Sequence, residues 1–289
     1  MPDADRPASP RLRPTILVTG ATGNLGREVA GRLRARGVRV LGLTRRPTAG
    51  AVVGDLTDRA SVRAALDGVD AVFLIWPLLD SAPAHGLVAE LAAAEPRVVY
   101  LSSTAVDDRA ARQSDPIVQV HADMEGLLHN AGLRPVVLRS DTLATNTRGW
   151  VPQLRAGDVV SGPDVARTAV VDERDVADAA AAVLLGGHDP SGHGPYLLTG
   201  PEVLSRAEQV ERLGAALGRR LRFAAVPADA ARARMLADGR PAPLVEALIA
   251  ASVRRPASEL TTDHVERLTG RPARSFTEWA LDHAAEFVV

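Results

Sequence analysis

The sequence predicts an α/β fold: a doubly wound parallel sheet followed by a smaller, helix-rich region. Three observations carry this. Short apolar runs alternate with stretches of helical period through the first half of the 289 residues. Those runs are apolar throughout rather than at every second residue, as expected of strands buried on both faces. A glycine-rich turn joins the first predicted strand to the first predicted helix, where such sheets bind phosphate groups.

The elements follow in order. Ile16 to Val18 is a strand ending at Gly20, and Leu25, Val29 and Leu33 recur at the spacing of a helix face that Gly37 stops. Val38 to Leu43 and Ala51 to Val53 are the next two strands. Val62 and Leu66 mark a short helix, Ala71 to Trp76 a strand, and Leu87, Val88 and Leu91 a helix. Arg97 to Leu101 is a strand running into Ser102, Ser103 and Thr104. The segment from Asp115 to Ala131 is helical, and Pro135 to Leu138 is a further strand. Past Arg139 the rhythm breaks. Val159 with Val160, and Ala169 to Val171, read as short strands; Asp172 to Leu185 reads as a helix stopped by Gly186 and Gly187. Tyr196 to Thr199 is a strand. Ser205 with Glu208, and Ser275 with Glu278, have the spacing of capping boxes, and the first opens a helix with Val210, Leu213 and Leu217 on its buried face. Pro227 to Val289 is helix-rich. Residues 1–13 read as a disordered tail, 14–140 as a dinucleotide-binding domain to which segments near 165–185 return, and 141–289 as mainly a substrate-binding domain.

Composition removes several chemistries. There is no cysteine and no lysine, and all 34 basic residues are arginine. Disulfides, thiolate nucleophiles, Cys-ligated zinc, Schiff-base lysines and Tyr-Lys dyads are therefore excluded, and no metal site is expected. A net charge of −1 gives no basic field for nucleic acid. The longest apolar run, Ala71 to Leu79, is far shorter than the roughly 20 residues of a membrane span. The expectation is a cytoplasmic protein, monomer or homodimer, whose partner is a small molecule.

The main motif is Thr19-Gly20-Ala21-Thr22-Gly23-Asn24-Leu25-Gly26. Gly20 allows a tight turn, Gly23 lets backbone approach a pyrophosphate, and Gly26 lets helix pack closely on strand. Gly20, Thr22, Gly23, Asn24, Leu25 and Gly26 are the candidate pyrophosphate contacts. About 20 residues on, an NAD site usually places an acid on the ribose hydroxyls. From Val40 to Arg46 there is none; the segment ends Thr44-Arg45-Arg46. Two arginines suit the 2′-phosphate of NADP(H), each charge-assisted bond contributing about 1.5–3 kcal/mol. The plain alternative is a solvated basic loop.

These residues, with Thr44 to Pro47, Val52 to Asp58, Val69 to Pro77, Arg97 to Ser103, His121 to Ser140, Val171 to Ala177 and Leu197 to Val210, resemble the NmrA-like group of atypical short-chain dehydrogenases/reductases. The resemblance runs from Pro14 to about Phe223. It implies a Rossmann domain binding NADP(H), capped by a smaller substrate domain. Members include quinone and azo-dye reductases, and redox-sensing regulators that bind the dinucleotide without turnover. The resemblance places Asp55 and Leu56 at the adenine and Trp76 and Pro77 by the nicotinamide half. Asp55 could equally be a turn residue, and Trp76 core.

The wider superfamily uses a tyrosine four residues before a lysine as its acid. Here Ile117 falls at the tyrosine place and His121 at the lysine place, while Ser102 or Ser103 matches the usual serine. A tyrosine relay is thus not supported. His121 shares a helix face with Ile117, Met124 and Leu128, so it is either a buried histidine with one hydrogen bond or a cleft-lining general acid oriented by Glu125. His121 and Ser102 are the catalytic candidates, and Ser103 joins the cofactor contacts. Asn146 matches the family's substrate-side pattern, whereas Ser140, Leu143 and Ala144 depart from it; Leu143 and Asn146 are the substrate candidates. The expected function is NADP(H)-dependent hydride transfer to a quinone, an enone or a similar electrophile. A dinucleotide-sensing regulator, or a non-redox isomerase, dehydratase or cyclase, are the alternatives.

Overall fold

The computed structural model describes residues 14–48, 51–186 and 194–288. The predicted tail at residues 1–13, and Gly187, lie outside them. The elements are β1 (Thr15–Thr19), α1 (Asn24–Ala35), β2 (Arg39–Thr44), β3 (Ala51–Val53), α2 (Arg59–Leu66), β4 (Ala71–Leu74), α3 (Ala84–Ala94), β5 (Arg97–Ser103), α4 (Pro116–Asn130) and β6 (Val136–Ser140). A 3-10 stretch, Ala144–Trp150, then leads into α5 (Val151–Ala156). After it come β7 (Val159–Gly162), α6 (Glu173–Leu184), β8 (Tyr196–Leu198), α7 (Arg206–Leu217), β9 (Arg222–Ala225), α8 (Ala228–Ala237), α9 (Ala242–Arg254), α10 (His264–Thr269) and α11 (Phe276–Asp282).

Among the described residues seven strands form one sheet in the order β3-β2-β1-β4-β5-β6-β8, every pair parallel. This is the Rossmann arrangement. Successive strand residues point to opposite faces. Ile16 and Val18 pack with Leu25, Val29 and Leu33 of α1 and Val176 and Ala180 of α6. Leu17, Val72 and Tyr100 pack on the other face with Val62 of α2, Leu87 and Leu91 of α3, and Met124 and Leu128 of α4. Both faces are covered, which is why the strands read as continuous apolar runs. A separate cluster of Trp150, Leu154, Val210, Leu213, Phe276, Trp279 and Phe287 gathers α5, α7 and α11.

Order reverses at β1, which has β2 on one side and β4 on the other. The crevice at the carboxyl ends of these strands is where such sheets bind ligands. Both predicted capping boxes form, each contributing about 1 kcal/mol at its helix start.

Two element readings need correction, and one strand carries no signal in the sequence. Ala169 to Val171 is not a strand; Val171 makes one isolated bridge to Leu143, and Thr168 one to Leu204. β9, which pairs with β7, was not anticipated, since Arg222-Phe223-Ala224-Ala225 has one large apolar residue and no alternation. The run from Ala71 leaves the sheet at Leu74, because the Thr19 hydroxyl takes the Ile75 N–H at 2.6 Å and donates to the Ile75 carbonyl at 2.9 Å. That hydroxyl pins the end of β1 against β4, directly before the glycine turn.

Candidate active site

The glycine turn sits on the carboxyl edge between β1 and β4. Gly20 has φ of 63°, a left-handed conformation that other residues adopt at a cost. The Gly23 N–H donates to the Gly20 carbonyl at 2.9 Å. A Cβ on Gly26 would stand 2.1 Å from that same carbonyl oxygen, so only glycine permits this approach. Gly23 caps α1 without a side-chain bond, and the first turn of α1 carries no acid. The N–H groups of Asn24, Leu25 and Gly26 therefore have no acceptor among the described residues, and Thr22, Gly23 and Asn24 are exposed. The result is a cradle of free donors at a helix start, which fits a pyrophosphate.

Arg45 and Arg46, at the end of β2, are exposed, and neither makes an ion pair among the described residues, although the charge of Arg45 reaches the Asp55 carboxylate. They are available to an incoming phosphate. Asp55, past β3, closes a turn on itself: its carboxylate accepts from the Thr57 N–H and hydroxyl, both at 2.8 Å. The Thr57 N–H, then its hydroxyl, holds the Asp55 pKa below the usual carboxylate range. Leu56 is half-buried against the core beside it.

Trp76 is buried, and its indole N–H donates to the Asp80 carbonyl at 3.0 Å. Its ring belongs to the core between sheet and helices; Pro77 beside it is exposed. Ser103 is half-buried and its hydroxyl accepts from the Ala105 N–H at 3.2 Å.

The two residues singled out for catalysis are held in networks. Nδ1 of His121 meets the hydroxyl of Tyr100 at 3.1 Å. Burial lowers the pKa of His121 to about 4, against the pull of the Glu125 carboxylate. At neutral pH the imidazole is uncharged, which weighs against an imidazolium acid. Tyr100 itself is fully buried, and burial, then the Glu125 charge, pushes its pKa well up. Ser102 is buried and donates to Glu125. Glu125 in turn takes Arg139 Nη2 at 2.7 Å, and Arg139 reaches Asp108 at 2.5 Å. Apart from Nε2 of His121, each polar side-chain group here already has a partner within the protein.

Leu143 is half-buried beside its bridge partner Val171, and Asn146 is exposed on the 3-10 stretch after β6. The structure adds residues that the sequence did not single out. Buried Asp141 accepts from the Thr142 N–H at 2.6 Å and the hydroxyls of Thr104 and Thr168, joining β5, β6 and the segment before α6. Asp115 caps α4 and, wholly buried, holds Arg255 at 3.0 Å, tying the end of α9 to the start of α4. Burial works to raise the Asp115 pKa, but the Arg255 guanidinium overrides it and leaves the carboxyl below its ordinary range. Asp115 followed by Pro116 is a helix-start signal that sequence carries; its distant arginine is not.

Fold and cradle together define a protein of the dinucleotide-binding Rossmann class. The NmrA-like family pattern matches residues 13–278, and the chain belongs to that family. It is 40% identical over 284 residues to a (4-alkanoyl-5-oxo-2,5-dihydrofuran-3-yl)methyl phosphate reductase of Streptomyces griseus, covering 94% of this chain and 99% of that one. It is 28% identical to an NAD(P)H azoreductase of Xenophilus azovorans, covering 94% and 99% of the two chains. The fold is shared with an NADPH-dependent quinone oxidoreductase of Escherichia coli solved with NADPH, at a TM-score of 0.74 and 22% identity over 92% of this chain and 98% of that one. The protein is an oxidoreductase of the reductase type.

Proposed function

We propose that this reductase uses NADP(H) and reduces the electron-poor carbon–carbon double bond of a small acylated butenolide that carries a phosphate ester. The observation that carries the substrate class is the 40% identity, over nearly the full length of both chains, to the Streptomyces griseus reductase. The cofactor reading rests on the free donors at the start of α1 and on the two unpaired arginines after β2.

The amides of Asn24, Leu25 and Gly26 hold the pyrophosphate, with Gly20, Thr22 and Gly23 shaping the turn. Arg45 and Arg46 hold the 2′-phosphate, and Asp55 and Leu56 flank the adenine. Pro77 and Ser103 border the nicotinamide half, with Trp76 supporting the edge from the core. Bound NADPH supplies a hydride. The chain's part is to orient a substrate whose chemistry needs no strong acid. In a 4-acyl butenolide the ring double bond is conjugated to a lactone carbonyl and a ketone. A hydride arriving at the carbon that bears the phosphate-carrying CH2 moves the π pair onto the carbon between the two carbonyls. That anion is spread over two oxygens, and water protonates it. A buried Tyr100 and a neutral His121 are compatible with this reaction, whereas a simple ketone would need a proton donor. His121 and Ser102 then act as positioning residues that fix α4 against β5. Leu143 and Asn146 lie on the substrate side.

The test is turnover of the acyl-butenolide phosphate with NADPH deuterated at C4. Deuterium at the ring carbon bearing the CH2, with the ketone retained, is the expected product. Deuterium at the ketone carbon, or tight NADPH binding with no oxidation of it, would overturn the reading, and the latter would favour a dinucleotide sensor.

A further inference from the structure

Trp150 ends the 3-10 stretch that leaves the carboxyl end of β6, and Arg206 opens α7, which follows the carboxyl end of β8. The Arg206 guanidinium carbon lies 5.5 Å from the centroid of the Trp150 ring. The acids nearest to Arg206 in the chain are already engaged: Glu202 with Arg212, and Glu208 with its own cap at Ser205 and with Arg167. Arg206 has no carboxylate and no hydrogen-bond acceptor among the described residues. Burial pushes its pKa down, and nothing offsets that. Arg240, just before α9, reaches the same place. Its Nη2 lies 3.7 Å from where a Cβ on Gly149 would stand, and it too has no carboxylate among the described residues. The Trp150 indole N–H likewise has no acceptor among them.

Two guanidiniums without an acid partner therefore flank neighbouring residues, Arg240 at Gly149 and Arg206 at Trp150, beside a free indole N–H. Arg206 is half-buried and stacked on tryptophan with no counter-ion, and its guanidinium still reaches solvent, so its donors are open to an incoming anion. The other half-buried arginines in this half of the chain take carboxylates, as Arg148 takes Glu173 and Glu286, and Arg255 takes Asp115, whereas those without one, such as Arg155 and Arg220, are exposed. Planar guanidinium forks match the oxygens of a phosphate, and two of them suit its double charge. The place also fits: the 3-10 stretch and α7 both leave the sheet at its carboxyl edge.

We infer that Arg206 and Arg240, which flank Trp150 and Gly149, form the subsite for the phosphate ester of the substrate. The inference deepens the reductase reading above and rests on it for the source of the phosphate. The subsite sets specificity by binding the substrate's anion; it takes no part in the redox step.

The experiment uses the full chain saturated with NADP+, so that the dinucleotide's own phosphate sites are filled. Binding of n-butyl phosphate is measured by calorimetry for the parent, Arg206→Gln, Arg240→Gln and the double variant. The KM for the acyl-butenolide phosphate is compared with that for its dephosphorylated alcohol. The parent is expected to bind the monoester, and each substitution to weaken it about tenfold to a hundredfold. The KM for the ester should rise by a similar factor while that for the alcohol and the affinity for NADP+ stay put. No binding of the monoester by the parent, equal binding by parent and double variant, or an equal rise in KM for ester and alcohol would overturn the inference. If neither butenolide is reduced but monoester binding still depends on both arginines, the subsite stands and the reductase reading fails. If both are reduced and their KM ratio ignores the substitutions, the reductase reading stands and the subsite falls.

Discussion

Arg45 and Arg46, at the end of β2, are exposed and make no ion pair among the described residues; Arg139, at the end of β6, is 6% exposed and holds both Glu125 and Asp108. The contrast extends to their neighbours. At the start of α1 the first-turn amides are free. Between β5 and α4, Tyr100 is bonded to His121, and Ser102 to Glu125. Both regions lie at the carboxyl edge of one sheet, and both are polar. They differ in whether the protein has already used its own donors. An unused donor there is available to a ligand, whereas a buried and satisfied one fixes two elements against each other. Residue type alone does not separate these roles; the partner does.

The strongest way to break the contrast is at the glycine turn. A Cβ on Gly23 would lie 3.2 Å from the Gly20 carbonyl, tight but short of the clash at Gly26. Gly23→Val should therefore fold, while its branched side chain fills the pyrophosphate's place. Affinity for NADPH should fall by about a hundredfold or more, the loss of several charge-assisted bonds. Calorimetry on the folded variant checks this, and undiminished binding would remove the turn from the site.

Replacing Arg45 and Arg46 together by Ala should come next. NADPH affinity should drop about tenfold to a hundredfold, and NADH affinity should hardly change, because only the 2′-phosphate loses its partners. Equal losses for both dinucleotides would mean that these arginines act through the fold.

The legibility of the chain follows the same division. The order of strands and helices through β6 could be read because each strand is apolar and each helix repeats at its own period, both local properties. The cradle could be read because its glycines, from Gly20 to Gly26, are contiguous with the elements they join. The networks could not. Tyr100 meets His121 across 21 positions, and Ser102 meets Glu125 across 23, and no periodicity in either segment reports the other. Helical spacing put His121 on the face toward the sheet, yet not the hydroxyl opposite it. Asp55 is the converse: a residue read for adenine that also closes its own turn through Thr57. Arg206 and Arg240 were invisible because what distinguishes them is partial burial without a partner.

Arg139→Met tests the paired half. It leaves the Glu125 carboxylate, whose side chain is 17% exposed, without its cation. Breaking a buried pair from one side costs about 3–5 kcal/mol, so chemical denaturation should show a loss of that order. NADPH affinity of the folded fraction should stay within about twofold, since Arg139 lies apart from the cradle. A large fall in affinity with little change in stability would move Arg139 into the binding site and dissolve the contrast.

His121→Asn carries the smallest expected effect on turnover and the most specific pH signature. An ordinary histidine has a pKa of 6.5, and burial lowers that of His121 to about 4. The unfolded chain therefore takes up a proton first as pH falls. The folded state keeps its full stability above about pH 6.5 and loses it between there and about pH 4, by roughly 3 kcal/mol at most. Carboxylates also titrate over the lower part of that window, but they are common to both proteins, so the difference between parent and variant isolates His121. Between pH 7.5 and pH 5 the parent should lose more stability than His121→Asn in urea titrations. Turnover per folded molecule should match from about pH 6.5 to 8, because a neutral imidazole bonded to Tyr100 has no proton to give at a rate that tracks its ionisation. An imidazolium acid would behave in the opposite sense, its rate falling as pH rises through its pKa and collapsing in the Asn variant. That outcome would place a working proton donor inside the paired network, and pairing would no longer separate framework from site.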